Sequence, residues 1–192
     1  DLNKTHYKYM AVTGAVERST GFAAIRVLAP NETEVLNSTI TLRWIGLGNA
    51  KAYIIKITNR FEETVFSQET SGTTLKIDLN NLGSGDEQLH ILTISVKENP
   101  KIKSNQYALH HINNEKASSL EKNLNILKRE LKQENSINKI IMASFYEQNK
   151  LFLDAISAYE EAITIEPEVY EYKLAYSMFL NRIGLGEYYK FE

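Results

Sequence analysis

The chain contains no cysteine, and that absence removes disulfides, thiolate catalysis and cysteine-ligated zinc together. No apolar run approaches the ~20 residues that a membrane-spanning helix needs. A basic excess is missing as well. With 22 Lys+Arg against 24 Asp+Glu the net charge is -2, which leaves no electrostatic footprint for nucleic acid. Glycine-rich phosphate cradles are absent, since Gly46-Leu47-Gly48 and Gly83-Ser84-Gly85 carry turn chemistry and lack the Lys-Ser/Thr that nucleotide binding wants. There is no Gly-x-Ser-x-Gly elbow and no His-x-x-x-His helix. His6 and His90 stand apart, and the neighbours His110 and His111 would face opposite sides of a strand. Asp86-Glu87 lacks the alternating oxygen ligands of a calcium loop. The reading is of a chain with no catalytic residue, no metal site and no cofactor.

What the chain does have is two halves with different hydrophobic periods, and the change falls near residue 113. Upstream, apolar residues alternate and are rich in β-branched and aromatic types. Strands are expected at 23–28, 39–44, 52–58, 63–68, 73–79, 89–96 and 104–112, with Pro30-Asn31, Asn59-Arg60, the 80–85 turn and Asn99-Pro100 between them. Leu89–Val96 is the most apolar and should be central, and Trp44 should point inward with Ile40 and Leu42. Short strands at this spacing predict an antiparallel two-layer β-sandwich over 23–113. Residues 1–22 form an N-terminal extension, with His6–Val12 a possible edge strand. Asn31-Glu32-Thr33 and Asn37-Ser38-Thr39 match glycosylation acceptors.

From Asn114 the period is helical. Ala117, Leu120, Leu124, Leu127 and Leu131 make one amphipathic stripe, too short for a coiled coil. Ser136 is the expected N-cap of a helix over 137–148. A partner helix follows over 151–165, and Pro167 suits the first turn of a third, running to about Ile183 before Gly184 stops it. Tyr172, Ala175, Tyr176, Phe179 and Ile183 share a stripe on that third helix. The fold class predicted is therefore α+β in two domains: an N-terminal antiparallel sandwich and C-terminal helical hairpins over 114–192.

Each half resembles a known family. Pro30, Leu42-x-Trp44, Tyr53-x-Ile55-x-Ile57, Leu79-x-x-Leu82, His90-x-Leu92-x-Ile94-x-Val96 and Ser104 resemble a fibronectin type III-like, or immunoglobulin-like, domain over about 24–112. His90 departs from the pattern, standing where that family usually has tyrosine. Residues 136–169 resemble one complete tetratricopeptide repeat of 34 residues, through a seam of Ala143, Tyr146, Ala155, Tyr159, Ala162 and Pro167. Lys139 and Met142 replace the family's usual tryptophan and leucine. A truncated next repeat begins at Tyr170 and sets Gly184 where Lys150 sits. The 114–133 helix lacks the small–aromatic–small pattern and reads as a cap.

The resemblances imply a non-catalytic protein-interaction or scaffold module that binds a protein or peptide partner. Candidate contacts are Tyr172, Tyr176, Phe179, Tyr188 and Tyr189, although packing is the plainer role for Tyr172 and Tyr176. Sandwich-plus-repeat chains of this kind resemble bacterial envelope proteins, which favours a periplasmic or cell-surface location. The chain opens on Asp1 and reads as processed or truncated, which leaves an upstream anchor open, as does self-association through the C-terminal helices. The rival reading is a carbohydrate-binding or adhesion sandwich with a helical dimerisation or spacer region. About one and a half repeats are too few for an independent solenoid, so the helices should lean on the sandwich.

Overall fold

Alternation along the strands decides which side chains meet. In the computed structural model, which describes residues 25–82, 89–112 and 114–188, eight strands form two sheets and four helices follow. The strands are β1 (Arg26–Val27), β2 (Glu32–Val35), β3 (Thr39–Ile45), β4 (Tyr53–Thr58), β5 (Thr64–Thr70), β6 (Thr74–Asp78), β7 (Leu89–Val96) and β8 (Tyr107–His111). One sheet has the order β1-β3-β6 and the other β2-β8-β7-β4-β5. The edge strand expected within 1–22, the 83–85 glycines, Asp86-Glu87 and Tyr189 lie outside the described residues.

Every second residue of β3, β4 and β7 is buried, as a strand with one face on a core requires. Ile40, Leu42 and Trp44 from one sheet join Tyr53, Ile55, Ile57, Leu92, Ile94 and Leu109 from the other in a single apolar cluster. Trp44 meets Tyr53 edge-on, with ring centroids 5.6 Å apart. β7 is the middle strand of its sheet, as its composition predicts. Ser104 closes a loop beside it, accepting from the Ile94 N–H at 2.9 Å and donating to the Asn105 carbonyl at 2.7 Å.

The strands depart from expectation in two ways. The first strand is only two residues long within the described chain, and a further strand, β2, follows Pro30. β2 also pairs parallel with β8, so the sheets are mixed rather than purely antiparallel. The cause lies at Ala29-Pro30. The Leu28 N–H still bonds Arg43 in one sheet (2.8 Å), whereas the Asn31 carbonyl already accepts from Ala108 in the other (2.8 Å). Proline has no N–H to leave unsatisfied while the chain crosses between ladders. What reads as a strand terminator is the point where the chain changes sheet.

The helices are α1 (Asn114–Glu130), α2 (Ser136–Gln148), α3 (Phe152–Ile165) and α4 (Tyr170–Arg182). Leu120 and Leu124 of α1 are buried. The N-cap of α2 is Asn135, not Ser136: its side chain accepts from the Asn138 N–H at 2.8 Å. Ser136 is the first helical residue, and its buried hydroxyl bonds Glu166 and, at 3.1 Å, Tyr172. Pro167 sits in the turn before α4 rather than in its first helical turn, because a Val169 N–H to Glu166 carbonyl bond (3.2 Å) adds two residues first. Gly184 follows the last turn with φ +78°, a backbone geometry that costs glycine nothing.

The halves are joined through α3. Leu153 enters the apolar cluster of the sheets, while Leu28, Leu36 and Ile112 pack against the helical cluster. Asn37 donates to Asp154 at 2.6 Å, and Arg43 pairs with Glu160 at 2.6 Å and with the Ser157 hydroxyl at 3.3 Å. Lys116 of α1 pairs with Glu34 of β2. The contact expected between the halves is thus built from both apolar and polar side chains.

Candidate functional site

The helical half places the small and aromatic residues of the α2–α3 seam inside. Ala143, Tyr146, Ala155, Tyr159 and Ala162 are buried where α2 and α3 meet, and Pro167 lies exposed in the following turn. Small residues let the two helices approach, and the tyrosine rings fill the remaining space. Burial lifts the Tyr146 and Tyr159 hydroxyls to about 12, with Asp154 and Glu147 respectively adding to the effect. Both are neutral hydrogen-bonding groups at physiological pH. Tyr159 donates to Glu147 at 3.3 Å, and Glu147 holds Arg182 of α4 through two bonds of 2.7 and 2.9 Å.

The five candidate contact aromatics fall in different places. Tyr176 and Phe179 are 2% and 0% exposed. Their rings stack on Tyr159 with centroids 5.6 and 5.2 Å away, so they offer no open surface to a partner. Tyr172 is half-buried, bonded to Ser136 and, at 3.3 Å, to Glu166. Tyr188 ends a short 3₁₀ turn, Gly186–Tyr188, and Tyr189 lies outside the described residues.

The open surface of α4 is a different stripe. Tyr170, Leu174 and Met178, four residues apart, are 59%, 40% and 52% exposed. On α2, Ile137 and Ile141 are also exposed. Sequence reasoning missed these residues, although their i, i+4, i+8 spacing was a usable signal. Apolar side chains occupy two sides of α4, and the more aromatic side is the one it buries.

Polar chemistry gathers in two other places. Between the halves a cleft of about 350 Å³ is walled by Asn37, Thr39, Thr41, Lys76, Asp154 and Ser157. Burial pushes the Asp154 carboxyl up to about 6, against the opposing Asn37 bond and the charge of Lys128. Burial also raises Glu160, opposed by Arg43 and by a 3.1 Å bond from Tyr176. In the sheets, His111 turns inward to meet His90 with ring centroids 5.0 Å apart. Burial first, then the neighbouring imidazole, hold the His111 pKa below its ordinary value. His110, one residue earlier, lies opposite Glu34 in the register and does not join them.

Among the described residues no three His, Asp or Glu side chains gather as a metal site would require. No described helix is long and apolar enough to cross a membrane. Asn37 of the second glycosylation match is held by Asp154, and Thr33 of the first is buried. Compared with known proteins, the chain matches no family model and no curated sequence.

Proposed function

We propose that the chain is a non-catalytic interaction module: a fibronectin type III-like sandwich bearing tetratricopeptide-like hairpins, with a protein or peptide bound along the outer faces of α2 and α4. The observation that carries this reading is a repeat of backbone geometry at an interval of 34 residues. α2 is capped by Asn149 (φ -98°), then Lys150 at φ 60°, then the buried Leu151, whose N–H bonds the Tyr146 carbonyl at 2.9 Å. α4 is capped by Ile183 (φ -94°), then Gly184 at φ 78°, then the buried Leu185, whose N–H bonds the Leu180 carbonyl at 2.7 Å. Both helices thus close on the same left-handed cap, at Lys150 and Gly184, 34 positions apart, which supports one unit used twice.

Side-chain pairs support the same arrangement. Lys139–Glu161 and Glu147–Tyr159 run in opposite order along α2 and α3, as in antiparallel neighbours. Ser136–Tyr172 and Glu147–Arg182 keep an almost constant offset, as in helices lying parallel. On this reading α2 and α4 share a face on which Ile137, Ile141, Leu174 and Met178 are open. Such a face binds through a few apolar anchors set on rigid elements. The fibronectin and tetratricopeptide resemblances also make the extracytoplasmic side of a bacterial envelope our proposed location.

A photoreactive residue at position 174, in the protein expressed in its own cells, tests the proposal against one at position 61. Adducts from 174 and none from 61 are expected. Adducts from 61 alone would instead favour the second reading, a sandwich that adheres or binds sugar. That reading has one observation behind it: Phe61, exposed at the β4–β5 tip, with the Arg60 guanidinium 4.7 Å from its ring centre. Trp44, the side chain best suited to sugar, is buried.

A further inference from the structure

Two carboxylates of one helix fasten the helical half to the sheets, and their partners differ in charge. Glu160 meets a guanidinium, Arg43, and also accepts from Tyr176. Asp154 accepts from a neutral amide, Asn37. The groups that face Asp154 come from every surrounding element. Lys128 approaches from α1 and the Tyr146 hydroxyl from α2, while Lys76 of β6 stands on the cleft wall and Ser157 lies one turn further along α3. Lys128 is exposed, so solvent and salt weaken its pull. Leu153, beside Asp154, is the α3 residue that enters the core of the sheets. The cleft opens Asp154 to solvent protons.

We propose that this joint is a proton-operated clasp: uptake of one proton at Asp154 in mildly acidic conditions tightens the seat of α3 on the sheets. Protonation on Oδ2 leaves Oδ1 free to keep accepting from Asn37, so the bond between the halves survives. The cost removed is that of holding a charge where water is scarce. A carboxyl raised to about 6 in the seated state binds its proton more tightly there than when α3 is released. Stability is therefore gained as pH falls through about 6 towards the ordinary carboxylate value, and lost as pH rises. Glu160, also raised, works in the same direction. The consequence reaches α4, because Glu160 holds Tyr176 of that helix.

Native-state hydrogen exchange of α3 amides, corrected for intrinsic rates, reads the seated-to-released ratio. From about pH 8 to about pH 5 it should rise about tenfold, given a seated pKa of about 6 and a released one near 4. Asp154→Asn should show the high, acid-like protection already at the alkaline end and lose most of the pH dependence. Asn37→Asp sets two carboxylates face to face and should steepen it. Where a variant fails to fold, the ¹³C titration of the Asp154 carboxyl in the unaltered protein decides. A midpoint below about 5, or a pH slope in Asp154→Asn as steep as in the unaltered protein, overturns the clasp. Either result leaves the binding reading standing, since that rests on the outer faces of α2 and α4.

Discussion

Leu153→Ala should destabilise both halves of the protein at once. Leu153 belongs to α3 by sequence, but its 3%-exposed side chain packs with the sheet core, while Ala155 and Ile156 beside it belong to the helical core. Truncating a fully packed leucine costs the transfer energy of the lost carbons plus a cavity term, about 3 kcal/mol in total. Two probes separate the cores in one urea titration. Trp44, the single tryptophan, reports the sheet core by fluorescence, and far-ultraviolet circular dichroism reports mainly the helices. The expected result is an unchanged slope with both midpoints shifted together by the same ΔΔG. A shift confined to the dichroism signal would show that the halves unfold separately. A loss below about 1 kcal/mol would show that the side chain is not packed as described.

Arg43→Ala should cost about 2 kcal/mol, because it leaves a largely enclosed Glu160 with only Tyr176 as a partner. Adding Glu160→Gln should recover part of that loss in a double-mutant cycle. Gly184→Ala should cost about 1 kcal/mol and lower Tm by a few degrees in calorimetry. No atom lies within 4 Å of the added Cβ, so the whole effect comes from the positive φ.

The parts of the fold that were legible in the sequence are those where one local period governs burial. β3, β4 and β7 alternate cleanly, and α1 carries its leucines three and four apart. β2 was not legible. Its Glu-Thr-Glu-Val buries a threonine and a valine, and a proline just before it looks like an ending. The cap of α2 slipped by one residue because Asn135 and Ser136 are both good caps, and only the Glu166 and Tyr172 contacts show which one is otherwise engaged. The polar joint left no trace at all. Asn37 and Asp154 are 117 positions apart, and neither stands in a pattern that marks it.

The α4 aromatics show how a correct period can still leave the choice of face open. Apolar residues occupy both the Tyr172–Tyr176–Phe179 side and the Tyr170–Leu174–Met178 side, so the helix could bury either one. The decision comes from α3. Tyr159 presents a flat ring at the height where Tyr176 and Phe179 can stack, and Glu160 presents a carboxylate that the Tyr176 hydroxyl reaches. Glu160 is in turn oriented by Arg43, three-quarters of the way along a strand of the other half. The face that α4 shows to solvent is thus set by a chain of contacts that begins in the sheets.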